Sequence, residues 1–204
     1  LTAVPTTLDA LQVEASTCTR CVLAEGRTQV VFGVGEPQAR FVLVGEGPGA
    51  EEDRLGEPFV GRSGQLLDRL LLEEMGRDRS ACYIANVVKC RPPGNRDPQP
   101  DEIAACRPYL EAQLDLIDPA VVVTLGNFAA RLLLDTKDGI TKLRGRSYPY
   151  RNGVLIPTVH PAFVLRGGAQ PMAHMRADLV RAAQALAEAG APGGGAPDDV
   201  EGAR

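Results

Sequence analysis

Phe41-Val42-Leu43-Val44-Gly45-Glu46-Gly47-Pro48-Gly49 reads as a strand that runs straight into a glycine turn. Consecutive apolar residues, two of them β-branched, suit a strand buried on both faces, and the glycines that follow tolerate backbone turns other residues resist. Similar runs recur at Tyr83 to Val88, Val121 to Leu125 and Val154 to Val159. Helical periodicity fills the intervals: Ser63 to Met75 carries Leu66, Leu67, Leu70 and Leu71, and Asp101 to Ile117 carries Ile103, Tyr109, Leu110, Leu114 and Ile117. Strands alternating with helices predict an α/β fold, a three-layer α/β/α sandwich around a central, mostly parallel four-stranded sheet.

In such sheets ligands bind beyond the carboxyl ends of the strands. Gly45 to Gly49 follows the first strand, Asn86 closes the second, Gly126-Asn127 follows the third and His160-Pro161 the fourth, so all of these converge on one sheet edge. The glycine turn could present N–H groups to an oxygen, although tight strand-to-helix turns use the same residues for geometry alone. It is not a Walker A loop, because no Gly-Lys-Ser/Thr follows, and the dinucleotide pattern Gly-x-Gly-x-x-Gly fails at Ala50. Phe59, in the turn-rich stretch Gly56 to Gly61, is placed either to stack on a base or to lie as a lid over the core. Asn86 carries both a donor and an acceptor for a ligand, or caps a turn. Of the two histidines, His160 stands at the pocket edge and His174 on the last helix.

The 204 residues, 44% of them apolar, suffice for one hydrophobic core, and a single domain is expected over 1–189. Gly190 to Arg204, rich in glycine and proline, is expected to be a disordered tail. No apolar run approaches the ~20 residues a bilayer needs, and no signal peptide is visible, so the expectation is a cytoplasmic protein without membrane association. The net charge of −4 is not the footprint of a strongly basic nucleic-acid binder, yet Lys89, Arg91 and Arg96, then Lys137, Lys142, Arg144 and Arg146, form locally basic stretches.

Five cysteines in a cytoplasmic chain point to ligation or catalysis before disulfides. Cys18-x-x-Cys21 has the short spacing by which two thiolates reach one centre, and Cys90 and Cys106 have fifteen residues between them, including the proline-rich loop Arg91 to Pro100. Four thiolates could close around zinc or an iron–sulfur cluster, the wide second spacing favouring the cluster. The alternative is a pair of buried thiols beside a redox pair. Cys82, in a strand-like run, reads as a small buried thiol.

Taken together, these segments resemble the iron–sulfur family of uracil-DNA glycosylases, family 4 of the uracil glycosylase superfamily. The matching pieces are Gly45 to Gly49 with Glu51-Glu52-Asp53, then Gly56 to Gly64, Asn86 to Pro92, and His160-Pro161-Ala162 with Leu165-Arg166, spread from about Cys18 to Leu186. The resemblance implies that Cys18, Cys21, Cys90 and Cys106 hold a 4Fe-4S cluster of structural use. It implies that Phe59 stacks on an extruded uracil, that Asn86 reads the base edge, and that His160, as a neutral donor, stabilises charge on the departing base. Backbone N–H groups at Gly45 and Gly47 would assist, and Glu46 and Glu52 would shape the pocket and support activity. The partner implied is uracil-containing DNA, single- or double-stranded, bound by a monomer and left with an abasic site.

The chain departs from the family at several positions. Superfamily members with a strong water-activating aspartate carry it where Gly47 stands, Ala50 replaces an acidic residue, and Ala162 replaces a serine able to contact phosphate. Two competing readings follow. One is a relative that traps the abasic product covalently through His160, and the other is a non-catalytic iron–sulfur nucleic-acid binding protein.

Overall fold

The computed structural model describes residues 5–190. Helices α1 (Leu8–Ser16) and α2 (Leu23–Gly26) lead into β1 (Val34–Gly35) and β2 (Phe41–Gly45), followed by α3 (Ala50–Leu55), α4 (Arg62–Met75) and β3 (Tyr83–Asn86). Next come α5 (Pro100–Ile117), β4 (Val121–Leu125), α6 (Asn127–Leu133) and α7 (Ile140–Leu143). The chain closes with β5 (Tyr148–Tyr150), β6 (Gly153–Thr158), α8 (Pro161–Gly167) and α9 (Ala169–Gly190). The stretch read as a disordered tail lies, Gly190 apart, outside the described residues.

The sheet has six strands in the order β1-β3-β2-β4-β6-β5, not the four expected. The expected strands are its parallel centre, β3-β2-β4-β6, with Leu43 facing Ile84 on one side and Val123 on the other. The two additions are antiparallel edges of two and three residues. Their sequences, Val34-Gly35 and Tyr148-Pro149-Tyr150, contain the residues that ordinarily argue against a strand, and an edge position is where proline is tolerated.

Alternation along the central strands splits the core in two. Phe41, Leu43, Val123 and Ile156 pack with Leu67 and Leu70 of α4 and with Met175 and Leu179 of α9. Val42, Val44, Ala85, Val122 and Leu155 face the other way, onto Leu110, Leu114 and Ile117 of α5. Each fully buried leucine contributes roughly 1.5–3 kcal/mol, which is how a period-two strand pattern becomes three layers. The C-terminal end of β6 is pinned by Asp178 of α9, fully buried, which accepts from Thr158 Oγ1 at 2.8 Å and from Arg144 at 2.9 Å. That anchor lies two residues before His160.

Candidate active site

At the C-terminal sheet edge the turns open into a pocket of about 450 Å³. Glu46, Gly47, Phe59, Asn86 and His160 line it, together with Glu52 and Gly49. The volume falls in the range of small-molecule sites and admits a single base.

Asn86 is the last residue of β3, 2% exposed, and its Oδ1 is buried without a hydrogen-bond partner in the protein. Such orphans are rare because an unmet buried acceptor costs about 1–3 kcal/mol. Gly45 explains how it fits. A Cβ at that position would lie 2.4 Å from Asn86 Oδ1 and 2.5 Å from Phe59 Cζ, so the glycine is the space that lets amide and ring face each other.

Phe59 sits in the left-handed region, with φ +54°, a conformation costing a non-glycine residue roughly 1–2 kcal/mol. Three contacts hold it there. Arg79 donates to the carbonyls of Pro58 at 2.8 Å and Phe59 at 3.1 Å. Glu52 Oε1 accepts from the N–H groups of Val60 and Gly61 at 3.1 and 3.0 Å. Gly64 of α4 passes so close that a Cβ there would meet Phe59 O at 1.7 Å. Glu52 is therefore spent on the backbone of the Phe59 turn, and Arg79 is a partner that sequence reading missed.

His160 caps α8: its Nδ1 accepts from the N–H of Ala162 at 3.1 Å, which leaves the proton on Nε2. Burial pushes its pKa down to about 4, helped by the positive charge of Arg166, so the ring is neutral at physiological pH. Its ring centroid lies 5.9 Å from that of Phe59. Glu46 is shifted the other way. Burial, with the negative charge of Asp97 adding to it, raises its carboxyl to about 7.

The third expected segment, Gly126-Asn127, does not line the pocket. Gly126 instead backs onto His160, where a Cβ would approach its Cβ to 3.1 Å, and Asn127 Oδ1 accepts from Ile140 N at 2.7 Å to start α7. In its place come Pro92, Asn95, Arg96 and Asp97 from the loop between the second cysteine pair, with Phe163 and Arg166 at the rim. That loop is held by Arg96, which pairs with the buried Glu102 at 2.5 Å. The Arg-Asp-Pro-x-Pro-Asp-Glu run was the available signal, since Glu102 completes a capping box with Gln99.

Cys18, Cys21, Cys90 and Cys106 line a second, smaller cavity together with Arg27 and Lys89. Two sulfurs already receive N–H donors: Arg27 Nη1 reaches Cys90 Sγ at 3.4 Å and Lys89 N reaches Cys106 Sγ at 3.2 Å. Burial raises the thiols of Cys21 and Cys90, and pushes Cys106 up to about 11, so as free groups they are protonated. Among the described residues no three such side chains close on a point fit for a single ion. Cys82 lies apart, buried, its thiol raised to about 12 by burial. Between cavity and pocket lies Lys89, fully enclosed, donating to Asn86 O at 2.8 Å and Gln113 Oε1 at 2.5 Å, with burial lowering it to about 8.

Comparison with known proteins matches residues 32–186 to the model of the uracil DNA glycosylase superfamily. A type-4 uracil-DNA glycosylase of Thermotoga maritima is 52% identical over 73% of this chain and 78% of its own length. Those of Sulfurisphaera tokodaii and Archaeoglobus fulgidus are each 43% identical over 78% of this chain, and over 76% and 83% of their own. The chain belongs to the type-4 uracil-DNA glycosylases.

For a type-4 uracil-DNA glycosylase the pocket chemistry is apt. It offers a buried amide acceptor without a partner, an aromatic ring, a neutral imidazole N–H and a carboxyl raised towards neutrality. No helix among the described residues is long and apolar enough to cross a membrane.

Proposed function

We propose that the pocket receives one uracil extruded from DNA and that its own side chains cut the N-glycosidic bond, leaving an abasic site. The buried, unpartnered Oδ1 of Asn86 carries this reading. Uracil brings an N3–H donor to that acceptor and an O4 acceptor to the amide N–H, whereas cytosine presents the opposite pattern and leaves both groups unpaired. Phe59 stacks on the ring, which offsets part of the few kcal/mol spent on unstacking the base.

As the bond breaks, its electron pair moves to the base and charge gathers on O2. The Nε2–H of His160 donates to that oxygen, and because the ring is neutral it does so without a buried cation. Water adds to C1′ of the sugar. With glycine at position 47, Glu46 is the carboxylate on hand to orient that water and take its proton, its pKa near 7 being suited to the task. Glu52 acts through the Phe59 turn.

The cysteine set fits a 4Fe-4S cluster better than zinc. Four thiols line one cavity, their wide second spacing suits a polynuclear centre, and N–H donors to two sulfurs suit thiolates. Bound there, the cluster would cross-link the turn between α1 and α2, the segment that follows β3, and α5. A thiolate centre of this kind belongs in a reducing cytoplasm, and the reading takes the protein as a monomer acting on DNA.

The test is incubation of the purified protein with a uracil-containing single-stranded oligonucleotide, divided between alkaline treatment and a denaturing gel without alkali. Cleavage only after alkali is expected. A denaturant-resistant shifted band would instead mean covalent capture through His160, and binding without base release a non-catalytic protein.

A further inference from the structure

We infer that Lys89 is a positioning residue for base recognition: its buried amino group holds the main-chain carbonyl of Asn86 and so ties the base-reading amide to the cysteine centre behind it. Lys89 is 2% exposed and its Nζ meets two acceptors, Asn86 O at 2.8 Å and Gln113 Oε1 at 2.5 Å. Gln113 is itself locked, its Nε2 donating to Phe32 O at 2.9 Å and to Tyr83 OH at 3.1 Å, so its oxygen has one direction to face. The lysine main chain completes the bridge, with its N–H donating to Cys106 Sγ at 3.2 Å and its carbonyl accepting from Val31 N at 2.8 Å. One residue thus touches a cysteine of the centre, helix α5 and the residue whose amide faces the pocket.

The bridge is costly. An amino group enclosed in protein forfeits its hydration, and a methionine of similar length would lie beside the Phe32 ring without that penalty. What methionine cannot do is donate to two carbonyl oxygens at once. Asn86 lies where the β2–β3 ladder ends, its last register partner being Gly45, and its amide is boxed in on the Gly45 side. A shift of its main chain therefore displaces the amide in the pocket, and misplacement by about 1 Å can cost on the order of a hundredfold in rate.

The inference rests on the reading of Asn86 above, and the experiment separates the two. Wild type, Lys89→Met and Asn86→Ala are compared for single-turnover uracil release, inhibition by free uracil, affinity for uracil-free duplex, and visible absorbance of the cysteine centre. Lys89→Met is expected to keep the absorbance and duplex affinity, release uracil about tenfold or more slowly, and bind free uracil correspondingly less well. Folded Lys89→Met with wild-type rate and uracil affinity overturns the inference. Wild-type behaviour in Asn86→Ala overturns the reading of Asn86 instead. Should Lys89→Met lose its absorbance or fail to fold, Gln113→Leu replaces it, removing the anchor on α5. Slower release with weaker uracil inhibition in that variant supports the inference, and an unchanged rate overturns it.

Discussion

Three side chains in the pocket differ from their counterparts in water, and each difference can be tested by itself. Asn86 keeps an open acceptor, His160 stays neutral and Glu46 titrates near neutrality. The imidazole has a sign to its linkage. Its folded pKa is about 4 against 6.5 for the free group, so between those values the unfolded chain binds the proton and the folded chain does not. Its contribution to stability is complete above pH 6.5 and falls by roughly 3 kcal/mol on acidification to pH 4. Denaturant titrations across that window should show a shallower pH slope for His160→Gln than for wild type; equal slopes would mean that the ring is not held neutral. Glu46 is expected to act as its carboxylate, so the single-turnover rate should rise with pH through an inflection near 7. Glu46→Gln should lose the inflection and about 10- to 100-fold in rate, whereas an unchanged profile would assign the inflection elsewhere.

The element that matters most is the turn bearing Phe59. Its left-handed backbone is not stable on its own merits and is enforced from three sides, by Arg79, Glu52 and the bare α-carbon of Gly64. Arg79→Ala should therefore slow uracil release about tenfold or more while lowering stability only modestly, since its ion pairs with Glu57 and Asp68 are partly exposed. Loss of stability without loss of rate would show the clamp to be structural only. Gly45→Ala should be worse for catalysis than for folding, because the added methyl strikes the amide of Asn86 and the ring of Phe59 together. The placement of Phe59 and Asn86 at the pocket was legible in the sequence, because each sits in a turn or at a strand end on the sheet edge where ligands bind. Arg79 was not, since an arginine twenty residues from Phe59 carries no local signal of the carbonyls it will meet. Edge strands β1 and β5 were illegible for a related reason. They are recruited by neighbours already in place, against their own propensity.

At the scale of the molecule, the alternating pattern was sufficient to predict the layers, because the central strands are apolar on both faces and leave little choice of architecture. The spacing of the cysteines suggested a shared centre. It did not reveal that the loop between Cys90 and Cys106 also builds a wall of the pocket, which depends on Arg96 reaching the buried Glu102. Cysteine centre and pocket are thus joined twice, through that loop and through Lys89. Removal of the proposed 4Fe-4S cluster by a chelator should consequently lower the melting temperature by about ten degrees or more and abolish uracil release together. Retained activity after complete metal loss would show the two sites to be independent. Whether the unpartnered amide of Asn86 selects the base is decided by single-turnover release of uracil and of cytosine from the same oligonucleotide context. Wild type should release uracil at least a thousandfold faster than cytosine, and Asn86→Ala should lose most of that preference along with the uracil rate, on the order of the selectivity lost when a buried polar site is left unpaired. An Asn86→Ala enzyme with undiminished rate and preference would contradict selection by the amide.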